Sequence, residues 1–355
     1  MGYVAFAAET SDREALARLW AENMSDRQIA LALDRRMRWL YEDQRATGVR
    51  TWLVKKDDTG EVVGCASVCP RTLHVDGRDV RAGLLSDFAI ARAHRVAGPA
   101  ITLQRALVAD SAGLGMELLF GHPNRGAVPI FRRVGYEQVG DITTWTKPLR
   151  SAERLRAYLS PLLADTAALA VDRLLAANDL RLRLAHGGWF REQELDRADN
   201  RFDALWERGK TDKPATIERT AEYLNWRYAD FTTAQFRIFA ISDRRGRRLR
   251  GYVVWRADRG AALASDVFWD GGDRVLRALL VRFACRMRRR GLQSVHLIVL
   301  GDASLAPCLR SSHFFPATPD PRPVIVHVST SAPQHLRMLL GAPSRWLLFD
   351  GDLDL

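Results

Sequence analysis

The chain has 355 residues, too many for one ordinary hydrophobic core, so two domains of roughly 150 residues each are expected. Its 47% hydrophobic and 27% charged residues match a soluble globular protein, and no apolar run approaches the ~20 residues of a membrane helix, which argues against a membrane span. The net charge of +11 would suit nucleic acid, but the arginines are spread along the chain without a basic tail or nucleic-acid module; no specific nucleic-acid partner is expected, and the excess reads either as a generally arginine-rich composition or as suited to an anionic ligand or acceptor.

The opening "MGYVAFAAETSD" lacks the basic region, long apolar stretch and cleavage site of a secretory signal, and the four cysteines show no disulfide framework, so a cytoplasmic location is expected. Ser11 with Glu14 and Ser25 with Gln28 match the capping box and predict two helix starts. "TWLVKK", the turn "DDTG" and "EVVGCASVC" predict a β-hairpin, "HVDGRDV" carries an Asp-Gly hairpin turn, and "AGLLSDFAIA" reads as a longer, mostly buried strand. Cys65 and Cys69 then lie on one strand, about 13 Å apart at about 3.3 Å per residue, beyond disulfide reach, and read as small buried groups. Next comes "HRVAGPAITLQRAL", a small-residue turn opening an amphipathic helix. The first turn of a helix leaves N–H groups unpaired and carries the positive end of the macrodipole, so a start without bulky side chains is open to an anion. "MELLFG" is a short strand, "NRGAVPIFRRVGY" a short helix ending at Gly135, and "EQVGDITTWTKPL" a closing strand pair.

Residues 151–186 have Leu and Ala at helical spacing and read as a helical connector broken near Pro161. After a polar stretch, "ERTAEYLNWRY" reads as helix, and strands and helices alternate again: "FRIFAIS", "GYVVWRA", "AALASDVFW", a helix over 273–290, and "SVHLIVLG". That helix places Leu276, Leu279, Leu280, Phe283 and Met287 on one face. The element order matches the later part of the first half, which suggests a tandem duplication.

"SDFAIARAHRVAGPA" resembles the central motif of the GNAT acetyltransferase superfamily, in which a strand leads through Arg/Gln-x-x-Gly-x-Gly/Ala into a helix; Arg95, Gly98 and Ala100 fill its positions and Ile90 its preceding apolar position. "NRGAVPIFRRVGY" is similar to the family's later Asn-x-x-Ala segment, with Asn124, Ala127, Phe131, Gly135 and Tyr136 at matching offsets. The resemblance implies an α/β (α+β) fold: tandem GNAT-like domains, each a mixed central sheet flanked by helices. These would be an acyl-CoA-binding domain over 1–150, a connector over 151–200 and a degenerate second domain over 201–355. It further implies that acetyl-CoA, or another acyl-CoA, binds with its pyrophosphate on Arg95, Val96, Ala97, Gly98 and Ala100. The acyl group would lie beside Ala89 and Ile90, with Asn124 and Phe131 also at the cofactor site. Pro99 removes one donor but fits a first helical position.

Phe131 stands where many family members carry a tyrosine that protonates the departing thiolate, and phenylalanine has no proton to give. Asp87, on a mostly apolar strand bordering the expected cleft, is the candidate base for an amine acceptor, the alternative being a local hydrogen-bonding role. His94 and His122 read as structural histidines. The second half has no phosphate loop before its helix, and Asp270 and Asp273 there would repel a pyrophosphate. "YLNWRY" and "WLLFDGDLDL" resemble segments of tandem GNAT-like proteins of bacterial sugar and polysaccharide gene neighbourhoods. Tyr223, Trp226 and Tyr228 could stack on a sugar or form core, and Asp350, Asp352 and Asp354 read as an acidic terminus available to an amine. The expected activity is transfer of an acyl group to a small-molecule or sugar amine. The alternatives are a non-catalytic CoA-binding scaffold and an aminoacyl-tRNA-dependent peptidyltransferase.

Overall fold

The computed structural model describes residues 2–23, 37–39, 48–186, 189–230, 234–301, 305–317 and 322–353. The chain divides into two compact units, one comprising Met1–Asp141, Pro321–Arg345 and Leu353–Leu355, the other Ile142–Asp320 and Trp346–Asp352.

The first unit begins with β1 (Tyr3–Ala7) and α1 (Arg13–Asn23). The helix start differs from the predicted Ser11–Glu14 box. A 3₁₀ turn over Thr10–Asp12 comes first, so the reciprocal cap is Glu9 with Asp12, whose Oδ2 accepts from the Glu9 N–H at 2.9 Å. The Ser25–Gln28 box lies outside the described residues. Strands β2 (Arg50–Lys56), β3 (Val62–Val75) and β4 (Arg78–Ile90) continue an antiparallel sheet. The β3–β4 hairpin closes through Asp76 and Gly77, both at positive φ (51° and 77°), as a two-residue Asp-Gly turn requires. Helix α2 (Ala97–Gly113) then carries the chain to β5 (Leu118–Gly121), which lies parallel to β4, and α3 (Val128–Arg133) follows. Arg322–Val328, within the segment assigned above to the second half, pairs antiparallel with β5. Leu103 and Leu107 of α2 are fully buried against Trp52, Val54, Val68 and Leu119 of the sheet, a burial worth about 1.5–3 kcal/mol for each leucine.

The expected closing strand pair is a single strand, β6 (Glu137–Pro148), because the β-branched run Ile142–Thr143–Thr144 favours extended backbone where a turn was expected. Its residues to Asp141 belong to the first unit and those from Ile142 to the second. In the second unit the connector is broken ahead of Pro161: a short helix, Ala152–Leu155, ends first, and α4 (Pro161–Ala185) starts with Pro161 just inside its first turn after the Ser160 cap. Then come β7 (Arg191–Leu195), α5 (Asn200–Gly209), β8 (Arg237–Ser242), β9 (Leu249–Asp258), β10 (Ala261–Trp269), α6 (Asp273–Arg289) and β11 (Ser294–Leu300). The sheet order is β7-β8-β9-β10-β11-β6, antiparallel except for β10 beside β11. The succession β8-β9-β10-α6-β11 thus repeats β2-β3-β4-α2-β5. Helix α6 buries Leu276, Leu279, Leu280, Phe283 and Met287, as its spacing predicts. No helix among the described residues is long and apolar enough to cross a membrane.

Candidate active site

The first unit's cleft originates in one extra residue on β4. Cys65 faces Ala89 and Ser67 faces Ser86, so Ala66 alone opposes Asp87 and Phe88. This is a β-bulge, and Asp87 sits in the left-handed region at φ 53°, a conformation that aspartate tolerates better than most residues. A bulge bends its strand, and the last paired residues of β4 and β5 are Leu84 and Phe120. Past that point the two strands part and leave an open cleft bordered by Ser86, Asp87, Phe88, His122, Asn124 and Phe131.

Asp87 is buried, with Ser86 Oγ donating to its Oδ2 at 3.5 Å and Cys65 Sγ donating to its backbone oxygen at 3.2 Å. Burial, together with the nearby Asp87 charge, pushes the Cys65 thiol far above its ordinary range, so Cys65 serves as a neutral donor that pins the bulge. Cys69 is equally buried, and its Sγ lies 3.3 Å from Ser86 Oγ. The Ala91 N–H donates to Val63 O on β3; because successive strand amides point to opposite edges, the Ile90 N–H faces the opening while that of Ala89 faces β3.

After β4 a 3₁₀ turn, Arg92–His94, redirects the chain into α2. His94 has a structural setting: its Nδ1 is 3.2 Å from the Tyr3 hydroxyl and its Nε2 3.9 Å from Glu61. The Arg95 guanidinium donates to Ile90 O and to Asn23 Oδ1, both at 3.1 Å, which holds a positive charge next to the helix start. Val96, extended and exposed, is the N-cap residue, and its N–H is spent on His94 O. Ala97 and Gly98 are therefore the first helical residues, with no carbonyl one turn earlier to accept from their amides. Pro99 is third instead of first, still among the positions whose N–H would be unpaired, so its ring removes no intrahelical bond. Ala100 is buried in the core beneath the helix, one position beyond the unpaired donors. A Cβ on Gly98 would meet only the Tyr3 ring, at 3.6 Å, so protein packing does not require a glycine there.

On the opposite wall, Asn124 Oδ1 accepts from the Ala127 N–H at 3.0 Å and shapes the entry to α3. Phe131 is buried, edge-on to Phe88 and to Tyr136, with ring centroids 5.3 and 5.2 Å away. The Tyr136 hydroxyl has no hydrogen-bond partner among the described residues, and burial pushes its pKa upward. Sequence reasoning gave no weight to Ser86 and little to His122. The available signal was the dipeptide Ser86-Asp87, which recurs as Ser265-Asp266 at the equivalent strand.

In the second unit that equivalence is structural and its chemistry differs. Val254 faces Asp266 and Trp255 faces Ala264, so Ser265 is the extra residue and β10 also carries a bulge. β10 pairs with β11 only as far as Ala264 and Leu297. Beyond that point the short strand Leu348–Phe349 pairs with Val299 and Leu300, so the unit's own chain lies alongside β11 where β10 has left it. Arg219, fully buried, bonds Asp266 Oδ1 at 3.0 Å and Asp352 Oδ2 at 2.5 Å, and the Tyr252 hydroxyl donates to Asp266 Oδ2 at 2.9 Å. Gly351 passes so close to Tyr228 that a Cβ would lie 1.8 Å from its hydroxyl. Asp352 is thus a buried ion-pair partner and not part of an exposed acidic terminus; Asp354 lies outside the described residues. Tyr223, Trp226 and Tyr228 are buried core residues, and Asp270 is bound by Arg208, Arg248 and Arg250. Because Arg219→Met leaves two buried carboxylates without their cation, chemical denaturation should show a loss of about 3–5 kcal/mol. An unchanged unfolding midpoint would show that the network carries no stability.

A family model described as an acetyltransferase (GNAT) domain matches residues 7–139. No curated protein sequence matches the chain. Among solved structures, the chain resembles a probable N-acyltransferase of Enterococcus faecalis at 12% identity and a TM-score of 0.65, over 92% of this chain and 73% of that one. It resembles a GCN5-related N-acetyltransferase of Anabaena variabilis at 12% identity and 0.63, over 92% and 72%. A Saccharomyces cerevisiae N-myristoyltransferase with bound myristoyl-CoA is similar at 10% identity and 0.55, over 94% and 80%. At these identities the likeness is one of fold. The bulged β4, its parting from β5 and the helix start after it all lie inside the segment that matches a GNAT acetyltransferase domain.

Proposed function

We propose that the first unit is an acyl-CoA-dependent N-acyltransferase that moves an acetyl, or another acyl, group from CoA to a small-molecule amine, with amino sugars as candidate acceptors. The observation that carries this reading is the meeting of an open strand gap, a carboxylate at its bulge and a helix start with unspent amides within one unit. The Ala97 and Gly98 amides and the Arg95 charge suit a pyrophosphate, by direct N–H donation and by the helix dipole. The Ile90 amide faces the gap and would donate to the thioester oxygen, where negative charge grows as the amine attacks.

Asp87 takes the proton of the acceptor ammonium, freeing the lone pair that attacks the thioester carbon. The C–N bond forms, the C–S bond breaks, the thiolate leaves, and the nitrogen gives up its second proton to solvent. Phe131 offers it no proton, so solvent supplies one. Removing a single general acid typically costs ~10²–10⁴-fold, less where the leaving group is as stable as a thiolate. Phe131→Tyr is accordingly expected to leave the transfer rate unchanged or to raise it. A large loss with fold and acetyl-CoA affinity intact would show that this is not a vacated acid position.

The direct test incubates the full chain with acetyl-CoA and a panel of amines that includes amino sugars, and follows thiol release with a disulfide reagent. Acceptor-dependent release is expected, and calorimetry should give one acetyl-CoA per chain, because the second unit's gap is filled by its own segment. Absence of acetyl-CoA binding overturns the proposal. A second reading, a CoA-binding protein without turnover, is favoured by the phenylalanine at 131; binding without release to any amine would support it.

A further inference from the structure

We propose that the outer face of α4 is a homodimer interface, packed against the same face of a second copy of the chain. The helix is docked in the opposite sense to an ordinary surface helix. Asp172, Asp179 and Arg183 point into the second unit, while Asp165, Arg173 and Arg181 are exposed. Asp172 Oδ1 accepts from the N–H and hydroxyl of Ser151, both at 2.8 Å. The buried Asp179 bridges Lys147 at 2.8 Å and Arg288 at 2.7 Å, and Arg183 pairs with Glu192 at 2.8 Å. Six of its eight leucines point outward, Leu162 at 84% exposure, Leu163 and Leu169 at 61%, Leu174 at 71%, Leu180 at 55% and Leu184 at 75%.

At 3.6 residues per turn these six leucines fall within an arc of about 140°, an apolar stripe interrupted by the exposed Thr166, Arg173 and Arg181. A surface helix normally turns such a stripe toward a core, and an exposed patch of this size marks an interaction site. The polar contacts inside oppose rotating the stripe inward, because turning α4 would carry Asp179 away and leave the buried Lys147 with the Ser312 carbonyl but no counter-charge.

The stripe's dimensions and symmetry point to a second copy as the occupant. From their exposures the six leucines present roughly 700 Å² together, near the about 800 Å² that each partner contributes to a stable standard interface. A two-fold interface must be self-complementary when the helix is reversed. Leu163 and Leu180 lie equally far from the point between Val171 and Asp172, and so do Leu169 and Leu174. Antiparallel pairing about that point therefore sets leucine level with leucine at both distances. It also sets Arg173 level with Ala170, a small residue past which the guanidinium can reach water, and Arg181 level with Leu162 near the helix end. A helix lying on a lipid surface would instead turn its polar face to the headgroups with cations on it; here that face carries Asp172 and Asp179 and is spent inside the unit.

The test is the mass of the full chain in solution by light scattering at micromolar concentration. Wild type should run at twice the single-chain mass, and the double variant Leu169→Lys, Leu174→Lys at the single-chain mass with an unchanged circular dichroism spectrum. A second measurement does not depend on weakening the interface: Ala170→Cys treated with a short bis-maleimide should give a covalent dimer that wild type does not. A monomeric wild type, or a dimer persisting in the double variant, overturns the proposal. So does a monomer that floats with phosphatidylserine vesicles, which would make the occupant a lipid surface.

Discussion

Gly98→Asp should weaken acetyl-CoA binding by at least about 100-fold while leaving the fold as stable as before or slightly more so. The two effects have opposite signs for one reason. A carboxylate in the first turn of a helix interacts favourably with the macrodipole, typically by about 0.3–1 kcal/mol, and the added side chain meets only the Tyr3 ring at ordinary contact distance. A pyrophosphate seeks the same positive end and finds it occupied by a negative charge. Hydrogen bonds to charged groups are worth about 1.5–3 kcal/mol each, so losing the pair from Ala97 and Gly98 alone exceeds the about 2.8 kcal/mol of a 100-fold change. Calorimetry with acetyl-CoA and a thermal melt of the same sample separate the two effects. Unaltered affinity with the fold intact would remove the helix start from the binding site, and Gly98→Ala, which adds volume without charge, is expected to bind far better than the aspartate.

The second large effect is at Asp87. Asp87→Asn preserves shape and, since asparagine also tolerates positive φ, preserves the bulge; the Cys65 thiol bonds the backbone oxygen at this position and is untouched by the change. What disappears is the ability to take a proton. The maximal rate should fall by ~10²–10⁴-fold with acetyl-CoA affinity unchanged, and the part of the pH–rate profile that rises with ionisation of the base should vanish. If rate and profile survive while the melting temperature drops, Asp87 is a structural residue of the bulge and the base lies elsewhere.

Both predictions concern positions that could be found before any fold was known, because the signals are local. The Asp76-Gly77 turn, the start of α2 after "HRVAGPA" and the apolar face of α6 each depend on residues within about a dozen positions of one another. Turn chemistry, cap chemistry and helical or strand periodicity act at that range. Local signals also misplaced details by a few residues. Pro99 stands two positions later in the helix than expected and Ala100 lies among the core residues, since the helix already begins at Ala97.

Contacts between distant segments left no such mark. Nothing near Asp352 indicates that it is buried against Arg219, because that pairing joins residues 133 positions apart and exists only once Leu348–Phe349 lies beside β11. The same holds for Arg322–Val328 beside β5, and for the leucines of α4: helical spacing specified the stripe, but the side it faces was set by Ser151, Lys147 and Arg288, which hold the opposite side inward. Periodicity states which side chains share a face. Which partner that face meets depends on closing long loops and matching shape and charge across them, and those terms arise only when the chain is assembled.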